Sequence, residues 1–337
     1  MDASQDQYPQ QPGLDNDPSA GDQPAGDTSE FNSFPPKPFL EENKNKTNVW
    51  LKSISSLALY LVIGYLFFNR DWLLVLVLTG VVVFHEMGHF LAMKLYRYKE
   101  LGIFFIPLLG AYASGSKHEV SQKQSAVIIL AGPVPGIVLG VLFYFISLHS
   151  GSYMLERVAW ILIFLNLLNL LPVYPLDGGQ LLNRLFLNES QLIASIFIIV
   201  SCAAMAWFAW SIRFYPLLLF PAMILFRMFG DLQQEKLIKK IEAEGVDLNT
   251  SYEDITDEQY WTIRQALIKH HPDLKDIPSA PPYSYADRED KVIMTMQSLL
   301  QRTLVMDLSI AGKLLILLIW IACFVLPFFL ELPLRVF

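Results

Sequence analysis

The stretch from residue 72 to residue 90 reads WLLVLVLTGVVVFHEMGHF. Residues 72–84 carry no charge and are apolar enough to begin a membrane span. His85 and His89 follow, and because they are four residues apart, a helix places both imidazoles on one face, where they can bind one metal ion. An ionisable side chain in a span costs about 2.5–3.5 kcal/mol if it stays charged and unpaired, so such residues persist mainly where they have a function. The stretch therefore predicts a metal-binding helix within a membrane.

Glu86 follows the first histidine and is offset around the helix axis. This offset keeps its carboxylate off the metal but within reach of a water bound to that metal. The pattern His-Glu-x-x-His is the signature of zinc metalloproteases. The alternative is that His85 and His89 are ordinary core histidines, and the apolar surroundings make that interpretation the weaker one.

The composition indicates a polytopic membrane protein. Hydrophobic residues make up 53% of the 337 residues and charged residues only 17%, which is too apolar for a soluble domain of this length. Both cysteines, Cys202 and Cys323, fall within apolar runs, which argues against a disulfide framework and a thiolate zinc site. We therefore expect nitrogen and oxygen ligands for the metal. The expected surroundings are the lipid bilayer and not nucleic acid.

The net charge of −7 originates near the N-terminus, where residues 1–36 contain seven acidic residues and no lysine or arginine. We expect residues 1–46 to form a disordered acidic tail, because such a segment cannot bury enough apolar surface to fold alone. The tail has no apolar core of the kind that a cleavable signal peptide requires. A docking role for it stays open.

Apolar runs predict seven helical segments, of which the sixth is short. They lie at residues 54–68, 72–93, 126–148, 158–171, 192–210, 214–229 and 314–330.

The basic residues around these runs predict the orientation of the chain. Four lysines precede the first run and three basic residues follow the second: Lys37, Lys44, Lys46 and Lys52, then Lys94, Arg97 and Lys99. By the positive-inside rule, the N-terminus then lies in the cytoplasm and the second span runs inward. The His-Glu-x-x-His motif consequently lies toward the cytoplasmic side, and we expect a multi-pass protein of a bacterial cytoplasmic membrane.

Two histidines do not complete a catalytic zinc site, which typically has three protein ligands and an open fourth position. The strongest candidate for the third ligand is Asp177, in the segment NLLPVYPLDGGQ at residues 169–180. Pro172 and Pro175 end the preceding helix. Because the fourth span also runs inward, Asp177 should reach the same depth as His85. The alternative is an acidic residue in an ordinary helix-end turn.

Together the two segments resemble the paired signatures HExxH and NxxPxxxLDG of the site-2 protease family, which are intramembrane zinc metalloproteases. The matching residues are His85, Glu86, His89, Asn169, Pro172, Leu176, Asp177 and Gly178. The resemblance covers residues 49–229 and implies cleavage of peptide bonds in or near transmembrane segments of membrane proteins.

The resemblance also implies a role for each motif residue. It makes His85, His89 and Asp177 ligands of one zinc ion per chain. It gives Glu86 the general acid and base role and Asn169 a polar role in the active site. Asn169 could instead form an interhelical hydrogen bond, and Asn166 could serve packing or support a zinc ligand.

Residues 101–116, LGIFFIPLLGAYASGS, are apolar but interrupted by Pro107, Gly110 and Gly115, which favours a re-entrant hairpin over a span. In site-2 proteases a β element at this place is thought to bind the substrate as an extended strand, which would satisfy the substrate's exposed amides. A simple interfacial loop is the alternative. The third span contains Gly132, Gly136 and Gly140 at four-residue spacing, which predicts close packing against the metal-binding helix.

Residues 230–307 form a polar insert with predicted helices at 232–244, 257–271 and 288–304, and the Pro-rich residues 277–285 indicate a linker. Thr256 and Gln259 predict a capping box for the middle helix.

The predicted fold class is an all-α polytopic membrane protein. Its parts are a site-2 protease-like transmembrane core at residues 47–229 with a small re-entrant β hairpin, a short cytoplasmic helical insert at 230–307 and a C-terminal transmembrane helix at 308–337. Two other functions stay open. One is a catalytically silent membrane chaperone, or pseudoprotease, of the same fold. The other is a metal transporter, which would spread its polar residues along a pathway.

Overall fold

The computed structural model describes residues 34–38, 49–108, 110–117, 120–187, 190–278, 280, 283–300 and 304–329. Of the predicted acidic tail at residues 1–46, residues 1–33 and 39–46 lie outside the described residues.

Long apolar helices dominate the described part of the chain. They are α1 (Val49–Phe67), α2 (Trp72–Leu95), α3 (Gln122–Ala131), α4 (Pro133–Ser150), α5 (Tyr153–Asn169), α7 (Gln191–Ser211), α8 (Leu219–Glu242) and α11 (Ile310–Phe329), with the short α6 (Asp177–Leu182) between α5 and α7. Six segments of the described chain are long and apolar enough to cross a membrane, with α3 and α4 counted as one and α8 counted with the 3-10 turn before it. The protein is thus a multi-pass membrane protein, as its composition predicts.

The fourth predicted span forms α5, which is a helix of 17 residues and does not count among the six. Ser152 caps its N-terminus, and the helix ends at Leu170, ahead of Pro172 and Pro175. Prolines stop the helix because they lack the amide hydrogen that its last turns need. The chain then continues through turns to Asp177, so the fourth predicted segment is present as a helix that is shorter than the other six.

The predicted hairpin is present as β1 (Lys99–Ile106) paired antiparallel with β2 (Gly110–Ser116). β1 packs against α1, and β2 packs against α2. The hairpin therefore lies directly beside the helix that carries the histidine pair.

The insert begins without a break, because α8 runs as one helix through residue 230 to Glu242. Its other helices are α9 (Asp257–His270), which has the predicted capping box, and α10 (Glu289–Leu299). α10 is shorter than predicted, because it ends at the buried Leu300 and the chain then forms β4 (Leu304–Val305), parallel to β3 (Val120–Ser121).

The insert has its own hydrophobic core, built around α9 and α10. Ile277 is buried in this core, and the Pro278 carbonyl accepts a hydrogen bond of 3.2 Å from Arg264 Nη1. The interpretation of residues 277–285 as a linker is therefore wrong: Ile277 before the prolines and Tyr283 and Tyr285 after them hold the described part of this segment against the insert.

Candidate active site

His85, His89 and Asp177 lie together although they come from two distant parts of the chain. Asp177 Oδ2 is 3.0 Å from His85 Nε2 and 3.3 Å from His89 Nε2, and the two Nε2 atoms are 3.1 Å apart. All three side chains are buried. The predicted coincidence of depth between α2 and the start of α6 is therefore present in the structure.

Asn166 on α5 sets the proton position on His85. Its Oδ1 lies 2.8 Å from His85 Nδ1, and its Nδ2 donates to the Leu162 carbonyl at 2.7 Å. Because the amide nitrogen faces a carbonyl, the amide oxygen must face the imidazole, and His85 Nδ1 must donate to it. In the neutral imidazole, His85 Nε2 then carries the lone pair, which is the form that binds a metal.

His89 is oriented in the same way by a backbone carbonyl. Its Nδ1 lies 2.7 Å from the Ile128 oxygen, which can only accept a hydrogen bond. In the neutral imidazole, Nε2 of His89 therefore also directs a lone pair toward the cluster. Two imidazoles with different partners thus present unprotonated nitrogens to the same point.

The three facing atoms fit a cation. Two nitrogen lone pairs and a carboxylate oxygen repel one another at about 3 Å unless a positive charge lies between them. Asp177 Oδ2 is buried and accepts no hydrogen bond from the described residues, and an orphaned buried charge is costly. Two neutral histidines and one carboxylate are a known ligand set for catalytic zinc. The residues present therefore fit a zinc ion.

Close backbone packing holds Asp177 in place. A Cβ atom on Gly178 would lie 1.9 Å from the Leu170 carbonyl oxygen, so the start of α6 touches the end of α5. Trp320 Nε1, on α11, donates to the same Leu170 oxygen at 2.9 Å. The C-terminal span thereby supports the turn that presents Asp177.

Two of the three glycines of the third span lie against side chains of the site. A Cβ atom on Gly132 would lie 2.4 Å from His89 Nε2, and one on Gly136 would lie 2.2 Å from Asn166 Nδ2. A Cβ on Gly140 would lie 2.7 Å from Ile163. The expected packing of the third span against the metal-binding helix is confirmed, since α3 and α4 both contact α2. Among the three glycines, Gly132 makes this contact, while Gly136 and Gly140 face α5.

Glu86 is buried beside the cluster and lines a cavity of about 570 Å³. Asn169 lines the same cavity, half-buried, with its Nδ2 donating to the Leu165 carbonyl at 3.2 Å. α1, α2, the hairpin, α5, α7 and the residues leading into α8 contribute to its walls, which are mostly apolar. Glu86 thus faces a space that an apolar chain segment could enter.

The hairpin presents a free strand edge to this cavity. The Phe105 amide donates to Ser56 Oγ at 3.1 Å, and so points away from β2. Because inward and outward pairs alternate in an antiparallel ladder, the partner Ala111 also points its amide outward, and so does Ala113 two residues on. The amide of Ala113 indeed faces the Glu86 carboxylate. Polar backbone groups of β2 therefore line the cavity beside Glu86.

The structure brings together all five residues to which the resemblance assigns a role in the site. His85, His89 and Asp177 form the cluster, while Glu86 and Asn169 line the cavity. Of the two roles left open for Asn166, the support of a ligand is the one that its hydrogen bond to His85 indicates. Sequence reasoning missed the Ile128 carbonyl and Trp320, because neither residue belongs to a motif.

Comparisons with known proteins relate this chain to metallopeptidases. Residues 73–156 match peptidase family M50, a segment that includes the HEMGH motif and ends before Asp177. A zinc metalloprotease of Methanocaldococcus jannaschii is 24% identical over 59% of this chain and 60% of its own length. Stage IV sporulation protein FB of Bacillus subtilis is 30% identical over 34% of this chain and 40% of its own length. The chain therefore spans less than two thirds of the length of these relatives.

Among solved structures, a site-2 protease from Methanocaldococcus jannaschii aligns with a TM-score of 0.40 and 23% identity, over 51% of this chain and 85% of its own. The family match and the curated relatives confirm the resemblance to the M50, or site-2 protease, family. They also support a metalloprotease.

Proposed function

We propose that the protein is an intramembrane zinc metalloprotease that hydrolyses peptide bonds in or near transmembrane segments of membrane proteins. One observation carries this proposal: a buried His85, His89 and Asp177 cluster lies beside a buried glutamate at an apolar cavity between membrane helices. A transporter would need polar residues along a path, whereas these side chains gather at one point.

One zinc ion per chain, held by His85, His89 and Asp177, would lower the pKa of a water to about 7 and polarise the scissile carbonyl. The protein's contribution is to keep both Nε2 atoms unprotonated and directed at one point. Asn166 and the Ile128 carbonyl do this by accepting the Nδ1 hydrogens.

Glu86 moves the proton in this proposal. Its carboxylate takes a proton from the attacking water and later passes it to the leaving amine. Burial beside the cluster keeps bulk water away from this exchange. Asn169 lines the same cavity and offers a neutral donor for the charge that develops on the carbonyl oxygen.

The substrate binds as an extended strand in this proposal. A helical substrate hides its peptide bonds and already uses its amides, so it must unwind before hydrolysis. The outward amides and carbonyls of Ala111 and Ala113 offer the unwound segment a partner strand. Such an added strand would pass directly beside Glu86.

The lipid bilayer surrounds the protein, and we place the active site and the N-terminus toward the cytoplasm of a bacterial cell. The basic residues at the end of α2 and just after it, Lys94 and Arg97, support this orientation. α8 carries Lys236, Lys239 and Lys240 in its polar last turns, which supports the same side for the insert.

The test compares Glu86→Gln with Glu156→Gln, a carboxylate on the first turn of α5. Each purified variant is reconstituted in lipid vesicles with a panel of tagged single-span membrane proteins, and cleavage is followed on gels. We expect Glu86→Gln to slow cleavage at least about 100-fold, because general base catalysis contributes 10²–10⁴, and Glu156→Gln to cleave like the wild type. Both variants should keep their zinc. A catalytically silent chaperone would cleave no member of the panel in any form.

A further inference from the structure

A five-residue segment before the first membrane helix, Phe34-Pro-Pro-Lys-Pro38, lies against the insert. Proline fixes its own φ angle, and each residue before a proline is restricted to extended conformations. Phe34 and Lys37 both precede prolines, so the whole segment favours the polyproline II conformation before it binds anything. Such a segment loses little entropy on binding.

Lys37 enters a cage of backbone carbonyls. Its ammonium donates to the carbonyls of Tyr252, Glu253 and Ile255 at 3.0, 2.7 and 2.7 Å. An ammonium group has three hydrogens to donate, and here each has an acceptor. The ammonium also lies 5.7 Å from the centre of the Tyr252 ring, within the range of a cation–π contact. These contacts select a lysine at this position.

The carbonyls of the segment meet aromatic donors. Trp261 Nε1 donates to the Pro35 carbonyl at 2.9 Å. The Tyr285 hydroxyl donates to the Pro36 carbonyl, and the Tyr252 hydroxyl donates to the Pro38 carbonyl at 2.5 Å.

This donor pattern matches a proline-rich ligand. Prolines have carbonyls but no amide hydrogens, so a groove that binds them must supply donors. The one remaining backbone donor with a partner, the Lys37 amide, reaches Asp257 Oδ1 at 2.7 Å. Donors and acceptors of the two surfaces are therefore complementary along the segment.

An aromatic wall completes the groove. Tyr285 stacks on Trp261 with ring centres 5.7 Å apart, and Tyr283 meets Trp261 edge-on at 5.3 Å. Phe34 packs edge-on against Tyr283 at 5.1 Å. Grooves lined by aromatic rings are the usual receptors for polyproline II peptides. We call this surface, formed by residues 252–257, Trp261, Tyr283 and Tyr285, the aromatic groove.

We propose that the insert is a peptide-binding module for segments of the pattern Phe-Pro-Pro-Lys-Pro, and that the chain's own N-terminal tail occupies its aromatic groove. Ten residues, 39–48, join the docked segment to α1, and they can span at most about 35 Å. So short a tether gives the segment an effective concentration in the millimolar range. Binding of the segment within its own chain is therefore favoured over binding to a second copy of the chain. This inference is independent of proteolysis.

The experiment adds a fluorescent peptide with the sequence of residues 31–40, FNSFPPKPFL, to the full chain in detergent and measures anisotropy. In the wild type, the tethered segment competes with micromolar peptide and binding is weak. In the chain carrying Lys37→Met, the tethered ligand is weakened, and we expect the peptide to bind at least tenfold more tightly. The same peptide with Lys37→Met should not bind. Lys37→Arg in the peptide should bind more weakly, because a guanidinium does not fit a three-carbonyl cage.

Two conservative substitutions in the groove, made in the Lys37→Met chain, serve as a test and its matched control. Tyr285→Phe removes the donor to the Pro36 carbonyl and should weaken peptide binding several-fold. Tyr283→Phe keeps the ring, and its hydroxyl has no hydrogen bond to the described residues, so binding should change less than twofold. Equal binding of both peptides, or no gain from Lys37→Met, would overturn the proposal. A wild-type dimer that Lys37→Met converts to monomers would overturn the assignment to one chain.

Discussion

Asn166 Oδ1 accepts a hydrogen bond of 2.8 Å from His85 Nδ1, and the same side chain donates to the Leu162 carbonyl at 2.7 Å. The side chain is fully buried. Because both of its ends are engaged, it cannot rotate without breaking one of these bonds. This amide therefore fixes the tautomer and direction of one candidate zinc ligand.

Asn166→Ala should lower zinc affinity about 10–100-fold, because a metal-bound histidine that loses its partner loses orientation and basicity. Affinity is measured by competition with a chromophoric chelator on the purified chain. Asn169→Ala is the control, since Asn169 lines the cavity without contacting a ligand. It should keep the zinc affinity and lose turnover. If Asn169→Ala lowered the zinc affinity and Asn166→Ala did not, Asn169 and not Asn166 would be the residue that supports a zinc ligand.

Gly132→Ala should disrupt the metal site by crowding it. The added Cβ would lie 2.4 Å from His89 Nε2, so the imidazole or α4 must move, and we expect zinc binding to weaken at least tenfold. Gly80→Ala, on α2, is the matched control, because its Cβ meets nothing within 4 Å. Elemental analysis after dialysis against a weak chelator compares the two variants. Equal zinc retention would show that His89 is not confined by Gly132.

Ala111→Pro tests binding of the substrate as a strand. The outward amide of Ala111 does not belong to the ladder with β1, so proline removes a group offered to the substrate while sparing the hairpin. We expect kcat/KM on the cleaved panel proteins to fall about fivefold or more, consistent with the loss of one hydrogen bond. Ala111→Val keeps the amide and should retain most activity. If proline and valine behave alike, the edge does not pair with substrate.

The stability of the insert should fall in acid. Burial would raise the pKa of Glu289, but Arg264, which donates to both carboxylate oxygens at 2.6 and 2.9 Å, holds that pKa below its ordinary value of 4.5. Because the folded-state pKa is lowered, the pair stabilises the fold above pH 4.5, and this contribution is lost as the pH falls below that value. Pulse proteolysis of the full chain between pH 7 and pH 3 measures the change.

Glu289→Gln should flatten this pH dependence and destabilise the insert at pH 7 by about 3–5 kcal/mol, because it leaves the buried Arg264 charge without a counter-charge. Glu258→Gln, an exposed carboxylate on α9, should preserve the wild-type profile. If the stability of Glu289→Gln fell in acid as much as that of the wild type, the Arg264–Glu289 pair would not be the cause of the pH dependence.

Local sequence patterns predict the site because its key residues lie at short, regular intervals in the sequence or directly after prolines that end a helix. The four-residue interval between His85 and His89 defines one helix face, and Pro172 and Pro175 place Asp177 at a helix end. The same sequence cannot show which way Asn166 faces, since that depends on how α4 and α5 pack at Gly136.

Such local patterns cannot predict the docking of residues 34–38, for a different reason. Lys37 and its carbonyl partners are separated by more than 210 residues, and the composition of an acidic, proline-rich tail does not show which surface it would bind. The Pro-rich residues 277–285 mislead in the same way, because their prolines indicate a linker while Ile277 and the tyrosines pack. Composition predicts local conformation but not a distant partner.

The most direct test of the central claim is the zinc content of the purified chain, measured by elemental analysis for the wild type, Glu86→Gln and Asp177→Ala. The account predicts one zinc per chain in the wild type and in Glu86→Gln, and a loss of tightly held zinc in Asp177→Ala. A full equivalent of zinc in Asp177→Ala, held as tightly as in the wild type, would contradict the assembly of one metal site from α2 and α6.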